Sequence, residues 1–198
     1  MKTKKQSEAI IPTKYGNFRT ITYAMDAEEK SPSIVMIHVD GSLNNEIVNV
    51  RIHSECMTGD VFGSYRCECG EQLDFSMKYV ADNGGLIIYL RQEGRGIGII
   101  NKLHAYNKQD EGFDTAEANI VLGFGYDDRT YEEAIVILHD LGINNINLLT
   151  NNPSKIEALE NDSEITVHNR ICVEIPSREE NLKYLETKKE KFGHLLKL

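Results

Sequence analysis

Three of the four cysteines of this chain lie within one fourteen-residue stretch, CMTGDVFGSYRCEC, which begins at Cys56. Ten residues separate Cys56 from Cys67, and one residue separates Cys67 from Cys69. A disulfide between Cys67 and Cys69 would close a very small, strained ring. The flanking residues are polar, which does not favour simple packing of the thiols in a core. Because thiolates are preferred ligands of zinc, the cluster predicts a zinc site.

Three thiolates leave one position of a tetrahedral zinc ion without a protein ligand. The candidates for a fourth ligand are His53, Asp60 and Cys172. If one of them binds, the zinc is enclosed and structural. If none reaches the ion, water completes the coordination, as at a catalytic zinc. The sequence leaves both alternatives open.

A glycine-rich stretch, RQEGRGIG, lies between a predicted strand and a predicted helix. Backbone amides at such a position can cradle a phosphate group. The stretch is neither a P-loop nor a dinucleotide-binding fingerprint, because its spacing fits neither motif. Arg91 and Arg95 would add guanidinium groups, which pair well with phosphate. The alternative is a tight turn flanked by surface arginines.

A second candidate anion site is LLTNNPSK, where a strand ends and Asn152 caps a helix that has Pro153 near its first position. A helix N-terminus attracts anions, so Thr150 and Lys155 are plausible phosphate contacts. An ordinary capped helix is the alternative interpretation.

The stretch GYDDRTY places Asp127 and Arg129 just before a strongly predicted helix. Acidic residues at that position favour the helix dipole and need no function. An aspartate beside an arginine can also orient the guanidinium and act as a base. Tyr106, by pattern alone, is an aromatic residue on a helix face.

These residues must be positioned by a fold that is strand-rich at its start and alternates strands with helices from residue 70 onward. We predict an α+β (mixed α/β) fold, a single domain over residues 1–198 whose mixed sheet is flanked by helices. Strands are predicted at 16–25, 32–41, 45–55, 85–90 and 143–150, with a strand pair or one bent strand at 163–175. Helices are predicted at 71–82, 99–109, 130–142, 151–160 and 178–196. The helix at 130–142 should begin with a capping box of Thr130 and Glu133 and end at Gly142.

The composition limits the classes of function. With 198 residues, 40% of them hydrophobic and 27% charged, the chain has an ordinary globular composition. Its net charge of -9 argues against broad binding of nucleic acid, which needs clustered cations. We find no signal peptide and no run of the ~20 apolar residues that a membrane span requires. The expected location is the cytoplasm, where thiols stay reduced.

Taken together, the motifs resemble those of the GTP cyclohydrolase II family. The resemblance runs through PTKYGNF, RIHSECMTGDVFGSYRCECG, GGLIIYLRQEGRGIGIINKLHAY, DTAEAN, LLTNNPSK and KFGHLL, in that order. It implies a zinc-dependent hydrolase that opens the imidazole ring of GTP and releases formate and pyrophosphate. The product would be 2,5-diamino-6-ribosylamino-pyrimidinone 5′-phosphate, formed in the first step of riboflavin biosynthesis. The resemblance also implies a homodimer and a magnesium ion that accompanies the triphosphate.

The resemblance assigns roles to individual residues. The three clustered cysteines would bind one catalytic zinc ion per subunit. Asp127 would accept a proton, Arg129 would be the proposed nucleophile toward the α-phosphorus, and Tyr106 would lie near the reacting ring. The residues that would bind GTP are Arg51, Ile52, His53, Ser54, Glu55, Gln72, Glu93, Gly94, Arg95, Thr115, Thr150 and Lys155.

Two other functions compete with this interpretation. In the first, the zinc is structural and the protein binds a purine nucleotide without turnover. In the second, the enzyme opens the ring but retains the formyl group. Detection of formate and pyrophosphate as products distinguishes both from the full reaction.

Overall fold

The computed structural model of the chain describes residues 3–41, 43 and 46–197. These residues form two compact units. The first contains the described residues up to His53, with Asp74–Arg91 and Tyr131–Val173. The second contains Ser54–Leu73, Gln92–Thr130 and the described residues from Glu174 onward.

The strands of the described residues form one seven-stranded mixed sheet in the order β1-β2-β3-β5-β4-β6-β7. Their bounds are β1 Lys4–Thr13, β2 Gly16–Ala24, β3 Ser33–His38, β4 Val48–Ser54, β5 Leu86–Leu90, β6 Asn145–Leu149 and β7 Thr166–Ile171. Strands β1, β2, β3 and β5 pair antiparallel in succession, whereas β4 pairs parallel with β6 and β6 with β7. The mixed sheet with its helices confirms the predicted α+β class. Because β4 and β6 are parallel, their carboxyl ends meet at the same edge of the sheet.

Strand β1 is absent from the sequence prediction, and its exposure explains why. All but two of its ten residues are exposed, and it pairs only with β2, at the edge of the sheet. It therefore carries no alternation of apolar and polar residues. Pro12 is compatible with this place, because an edge strand has one side without ladder hydrogen bonds.

Strand β4 is buried on both faces. Val48, Val50 and Ile52 are at most 4% exposed, and Arg51 and His53 on the opposite face are also buried. The sequence predicts this strand at 45–55, of which Asn45 lies outside the described residues. Buried polar side chains such as Arg51 and His53 need hydrogen-bond partners, which are described with the candidate site below.

The helices of the described residues are α1 Met57–Asp60, α2 Cys69–Asn83, α3 Gly98–Asp110, α4 Thr115–Val121, α5 Glu132–Asp140, α6 Pro153–Glu160 and α7 Leu182–Phe192. A short 3₁₀ helix covers Glu93–Gly96. Helices α2, α3, α5, α6 and α7 match predicted ones, whereas α1 and α4 were not predicted. Within the described residues, no helix combines the length and the apolar character that crossing a membrane would require.

The hydrophobic core of the first unit combines residues of the sheet with residues of α5 and α6. Helix α5 contributes Ala134, Ile137 and Leu138, all 0% exposed, at the spacing of one helical face. They pack in the same cluster as the buried residues Val50 and Ile146 of the neighbouring strands β4 and β6. Burial of each large apolar side chain stabilises the fold by about 1.5–3 kcal/mol.

The predicted capping box of α5 is wrong. The helix begins at Glu132 after Tyr131, and the cap has no side-chain hydrogen bond, so Thr130 and Glu133 do not cap each other. A capping box is present instead at α4, where Asp114 accepts from the backbone of Glu117 and Glu117 bonds back to the backbone of Asp114. The end of α5 agrees with the prediction, because Gly142 has the left-handed φ of 68° typical of a helix terminus.

A glycine between α2 and β5 allows a test of how closely the backbone there packs against strand β4. Gly85 has a φ of 117°, and a Cβ atom there would lie 2.1 Å from the carbonyl oxygen of Asn49. Gly142 also has a positive φ, but a Cβ there would meet nothing within 4 Å. We therefore expect Gly142→Ala to cost about 1–2 kcal/mol from backbone strain alone. Gly85→Ala should cost roughly 1–3 kcal/mol more, from the clash. Urea unfolding of both variants measures the difference, and equal losses of stability would contradict this packing.

Candidate active site

The three clustered cysteines come together in the second unit. Cys56 directly precedes α1, and Cys69 is the first residue of α2. The sulfur atoms of Cys56, Cys67 and Cys69 all lie within 4.8 Å of one another, and all three thiols are free. The Cys56 and Cys67 sulfurs are 3.6 Å apart, a distance for a hydrogen bond rather than a disulfide. The group can hold a metal ion through sulfur.

Two glycines make this approach of the three thiols possible. A Cβ at Gly59 would lie 2.9 Å from the Cys67 sulfur and 3.2 Å from the Cys56 sulfur. A Cβ at Gly70 would lie 2.3 Å from the carbonyl oxygen of Gly59. The backbone of α1 therefore packs directly against the start of α2. Asp60 closes the turn, since its carboxylate accepts a hydrogen bond of 2.9 Å from the Cys56 amide.

The thiols share their protons unequally. Hydrogen bonds from Cys67 and Cys69, helped by the nearby ammonium of Lys102, hold the pKa of Cys56 far below its usual value. The hydrogen bond to Cys56, together with burial, raises the pKa of Cys67 to about 12. The hydrogen bond to Cys56 likewise raises the pKa of Cys69. One thiolate is thus held by two thiols, and a metal ion that binds here must displace their protons.

No fourth protein ligand joins the group within the described part of the chain. Among the described His, Cys, Asp and Glu residues, only the three cysteines form such a cluster. Asp60 instead bonds the Cys56 amide, and the His53 ring stacks on Tyr89 with centroids 5.4 Å apart. Cys172 directly follows strand β7 in the first unit. A zinc ion with three protein ligands is of the catalytic kind.

Lys102 of α3 is a residue of this site that sequence reasoning missed. Its ammonium lies 3.0 Å from the Cys56 sulfur, 2.9 Å from Thr58 Oγ1 and 2.8 Å from Glu93 Oε1. The side chain is buried, with 9% of the residue exposed. Burial lowers the pKa of Lys102, but the charge of Cys56 and the hydrogen bonds to Glu93 and Cys56 outweigh it and raise the pKa. The residue therefore carries a positive charge beside the thiols.

The signal for Lys102 was present in the sequence. Lys102 precedes Tyr106 by four residues, so the two side chains share one face of α3. The Lys102 ammonium lies 5.8 Å from the centre of the Tyr106 ring. The sequence pattern places Tyr106 on a helix face, and Lys102 lies on the same face. It does not single out Lys102, because a lysine on a helix is usually solvated.

Glu93 anchors the glycine-rich stretch within the second unit. Its carboxylate is buried and accepts hydrogen bonds from the amides of Met57, at 2.6 Å, and Gly94, at 2.7 Å. With Lys102 it forms an ion pair of 2.8 Å. The predicted nucleotide contact at Glu93 is thus a residue that ties the glycine-rich stretch to the segment after Cys56.

The glycine-rich stretch has an unusual backbone. Gly94 and Arg95 both have φ near 62°, and Gly96 and Gly98 also have positive φ. Among the described residues, Arg95 is the only non-glycine with a positive φ. A Cβ at Gly96 would lie 3.3 Å from the backbone of Asp128, whose amide donates to the Arg95 carbonyl at 3.1 Å. The stretch therefore needs glycine for close approach as well as for its dihedral angles.

Asp127 and Arg129 bind each other in the second unit. The Arg129 Nε donates to Asp127 Oδ1 at 2.8 Å, and a second guanidinium nitrogen donates to Oδ2. Burial raises the pKa of Asp127, but the Arg129 guanidinium outweighs it and lowers that pKa. Asp128, between them, bonds the Arg95 backbone, so the pair adjoins the glycine-rich stretch.

In the first unit, several predicted nucleotide-binding residues meet where β4 and β6 end. Arg51 donates to the Leu149 carbonyl at 3.0 Å and lies 3.3 Å from His53 Nδ1. Lys155 donates to the Ile52 carbonyl at 2.7 Å. These cations are buried, with Arg51 and Lys155 each 5% exposed. The carboxyl ends of parallel strands are a common place for ligand binding in such sheets.

Thr150 and the start of α6 complete this group. Thr150 directly follows β6, is 1% exposed and accepts a hydrogen bond of 3.0 Å from the amide of Asn152. Asn152 caps α6 by accepting from the amide of Ser154, and Pro153 is the first helical residue, as predicted. The helix N-terminus thus lies beside Thr150 and Lys155.

The remaining predicted contacts are in the second unit. Ser54 accepts a hydrogen bond of 2.9 Å from Gln92, and Gln72 donates to Glu68 at 3.0 Å. Thr115 is the first residue of α4, and Glu55 directly precedes Cys56. Ser54 and Gln72 lie in the segments that flank the cysteines.

The fold and the three-thiol cluster define an α+β protein that can hold a metal ion through sulfur ligands beside a glycine-rich stretch. The model of the family described as GTP cyclohydrolase II matches residues 4–172. The chain therefore belongs to the GTP cyclohydrolase II family, and the family predicted from the sequence is confirmed.

Individual relatives agree with this assignment. A GTP cyclohydrolase-2 of Campylobacter fetus is 47% identical over 196 residues, which are 99% of this chain and 97% of that protein. A riboflavin biosynthesis protein RibBA of Staphylococcus saprophyticus is 48% identical over 195 residues, which are 98% of this chain but 48% of that protein. The chain thus spans about half the length of its RibBA relatives. Among solved structures, RibBX of A. baumannii aligns with a TM-score of 0.44 and 17% identity over 88% of this chain and 41% of that chain, too weak a likeness to support an argument.

We expect Lys102→Met to weaken zinc binding. The Cys56 thiolate would lose a charged hydrogen-bond donor, and Glu93 would lose its cationic partner, so the affinity should fall about 10- to 100-fold. Competition with a chromophoric chelator measures the affinity. Lys108→Met on the same helix is the control, since Lys108 pairs with the exposed Glu111 at the surface. Equal zinc affinity in wild type and Lys102→Met would contradict a role for this ammonium at the site.

Proposed function

We propose that the chain catalyses the zinc-dependent opening of the imidazole ring of GTP, with release of formate and pyrophosphate. The product would be 2,5-diamino-6-ribosylamino-pyrimidinone 5′-phosphate, and the reaction the first step of riboflavin biosynthesis. The observation that carries this proposal is the set of three thiols with no fourth protein ligand among the described residues, in a chain of this family. We further propose a cytoplasmic homodimer with magnesium on the triphosphate.

The donor set fits zinc, because soft thiolates select this ion and a three-ligand site suits a catalytic one. When bound by Cys56, Cys67 and Cys69, zinc would supply the Lewis acid for hydrolysis at the guanine ring. Three thiolates and one dication carry a net charge of about −1. The ammonium of Lys102, 3.0 Å from the Cys56 sulfur, offsets this charge. It thereby lowers the electron donation of that sulfur.

Tyr106 suits a role as hydrogen-bond donor to the reacting ring. Burial raises the pKa of Tyr106, so its phenol stays protonated near neutral pH. Its ring is held by the guanidinium of Arg66, 4.8 Å from the ring centre. A protonated, fixed phenol can bind an oxygen or nitrogen acceptor of the substrate.

Arg129 suits electrostatic stabilisation of phosphate better than covalent attack. A guanidinium is almost always protonated and is then a poor nucleophile. Asp127 would have to remove its proton, but the pKa of Asp127 is lowered, which makes this carboxylate a weak base. The two hydrogen bonds between them instead favour the charged form of both groups. We therefore propose that Asp127 orients a cationic Arg129 toward the phosphates.

In the first unit, the buried cations Arg51 and Lys155 would bind GTP together with Ile52, His53 and Thr150. A chain with a net charge of -9 needs local positive charge to hold a triphosphate. In the second unit we assign GTP contacts to Ser54, Glu55, Gln72, Glu93, Gly94, Arg95 and Thr115.

Replacement of one metal ligand tests the proposed reaction. We expect Cys67→Ser to lose zinc and to stop formate release, while pyrophosphate release continues if the two half-reactions are separable. Incubation with GTP and magnesium, with zinc quantified and both products measured by mass spectrometry, gives the result. Cys172→Ser is the matched control, because the fourth cysteine lies outside the cluster, and it should retain zinc and activity. Unchanged formate release by Cys67→Ser is incompatible with the proposal.

The role of Arg129 has a separate test. We expect Arg129→Ala to slow pyrophosphate release about 10²- to 10³-fold, the usual effect of removing one charge-stabilising donor. Arg129→Lys should retain part of the rate, since it keeps the charge. Intact-protein mass spectrometry of the quenched wild-type reaction should find no guanylyl adduct. An adduct in the wild type that disappears in Arg129→Ala would establish covalent catalysis instead.

A further inference from the structure

Helix α7 presents a regular row of three side chains to the rest of the second unit. Tyr184, Lys188 and Phe192 follow one another at intervals of four residues, so they lie on one face of the helix. Lys188 is 9% exposed although it is a lysine. The family model ends at residue 172, before this helix begins.

Lys188 forms a buried ion pair with the residue between two of the clustered cysteines. Its ammonium donates to Glu68 Oε1 at 2.7 Å, and Glu68 is 2% exposed. The second carboxylate oxygen of Glu68 is buried and has no hydrogen-bond partner among the described residues. A buried carboxylate is tolerated only when it is paired, so Glu68 depends on Lys188 for its charge balance. Gln72 adds one neutral hydrogen bond of 3.0 Å.

The position of Glu68 makes this ion pair relevant to the metal site. Its backbone joins Cys67 to Cys69, and both sulfurs belong to the three-thiol cluster. The Lys188–Glu68 ion pair is thus anchored in the backbone segment that carries two of the three clustered cysteines. Lys188 also lies 4.4 Å from the centre of the Tyr184 ring, which fixes the ammonium in place.

The other two members of the row cover Arg95. The Arg95 guanidinium carbon lies 4.2 Å from the centre of the Phe192 ring and 6.0 Å from that of Tyr184. Arg95 also has the left-handed backbone described above, with a φ of 62°. Such a conformation persists only where surrounding contacts hold it. The aromatic residues of α7 supply such contacts on the side-chain end of Arg95.

Three further ion pairs attach α7 and the segment before it to the rest of the same unit. Arg178 forms two hydrogen bonds with Glu71, one of them at 2.8 Å. Lys191 pairs with Asp114, the cap of α4, and with Glu117 at 3.3 Å. Helix α7 and the segment before it thus contact α2, α4 and the glycine-rich stretch. A loosely attached helix would not make this set of contacts.

We propose that α7 is a positioning helix of the active site, in which Lys188 fixes the Cys67–Cys69 segment through Glu68 and Phe192 fixes the guanidinium of Arg95. Lys188 acts on metal binding and Phe192 acts on nucleotide binding. The inference rests on the proposed function, since it assumes that the cysteines bind zinc and that Arg95 contacts GTP.

The first test measures metal binding without turnover. We expect Lys188→Met to lower zinc affinity about 10- to 100-fold in competition with a chromophoric chelator. In the cobalt(II)-substituted protein, its absorption bands should shift, because they report the geometry of the sulfur ligands. Lys188→Arg should recover part of the affinity. Lys189→Met, at the neighbouring exposed position, is the matched control and should match the wild type.

The second test uses the other end of the row. We expect Phe192→Leu to raise KM for GTP several-fold while kcat, zinc affinity and the cobalt spectrum stay unchanged. Each variant therefore serves as a control for the other, since a general loss of stability would change both properties together.

The outcomes separate this inference from the proposed function. If Lys188→Met does not fold, Glu68→Gln removes the same charge pair with little change of shape and should give the same loss of zinc affinity. Wild-type zinc affinity and an unchanged cobalt spectrum in the folded variant would overturn the role of Lys188. An unchanged KM in Phe192→Leu would overturn the role of Phe192. Failure of the wild type itself to bind zinc or release formate would overturn the proposed function instead.

Discussion

The close packing of the backbone at Gly59 against the backbone at Gly70 is the constraint on which the candidate site depends. A side chain at either position would collide with a cysteine sulfur or with a carbonyl oxygen. Because neither glycine has a Cβ, the three thiols can lie within 4.8 Å of one another on two separate segments. The three thiols can form a metal site because the glycines leave room for them to approach one another and because sulfur is a good ligand for zinc.

Buried cations then set the electrostatics of an acidic protein. Lys102 lies beside the thiols, and Lys188 pairs with the carboxylate between two of them. In the first unit, Arg51 and Lys155 are held by backbone carbonyl groups at the ends of parallel strands. These buried cations are local positive charges in a chain whose net charge is -9.

Much of the fold could be predicted from periodicity, and the failures have physical reasons. Helix α5 was found from its apolar spacing, because Ala134, Ile137 and Leu138 form a fully buried face. Strand β1 was not predicted because it is an exposed edge strand. Its backbone pairs with β2, but its side chains show no pattern of burial that the sequence could reveal. The predicted capping box at Thr130 is wrong because α5 begins two residues later, at Glu132. A short sequence motif does not exclude a different first residue for the helix.

The sequence by itself determined which residues can do chemistry: the three cysteines through their spacing, the glycine-rich stretch through its composition, and the family through motifs in a fixed order. Only the tertiary structure decided that no other described residue completes the metal ligands, and that Lys102 and Lys188 are buried partners of this centre. The reason is that spacing along a chain fixes which atoms are near each other only within one helix or turn. Contacts such as that between Glu68 and Lys188, 120 residues apart, arise when separate elements pack, and their charges matter because burial has removed the water.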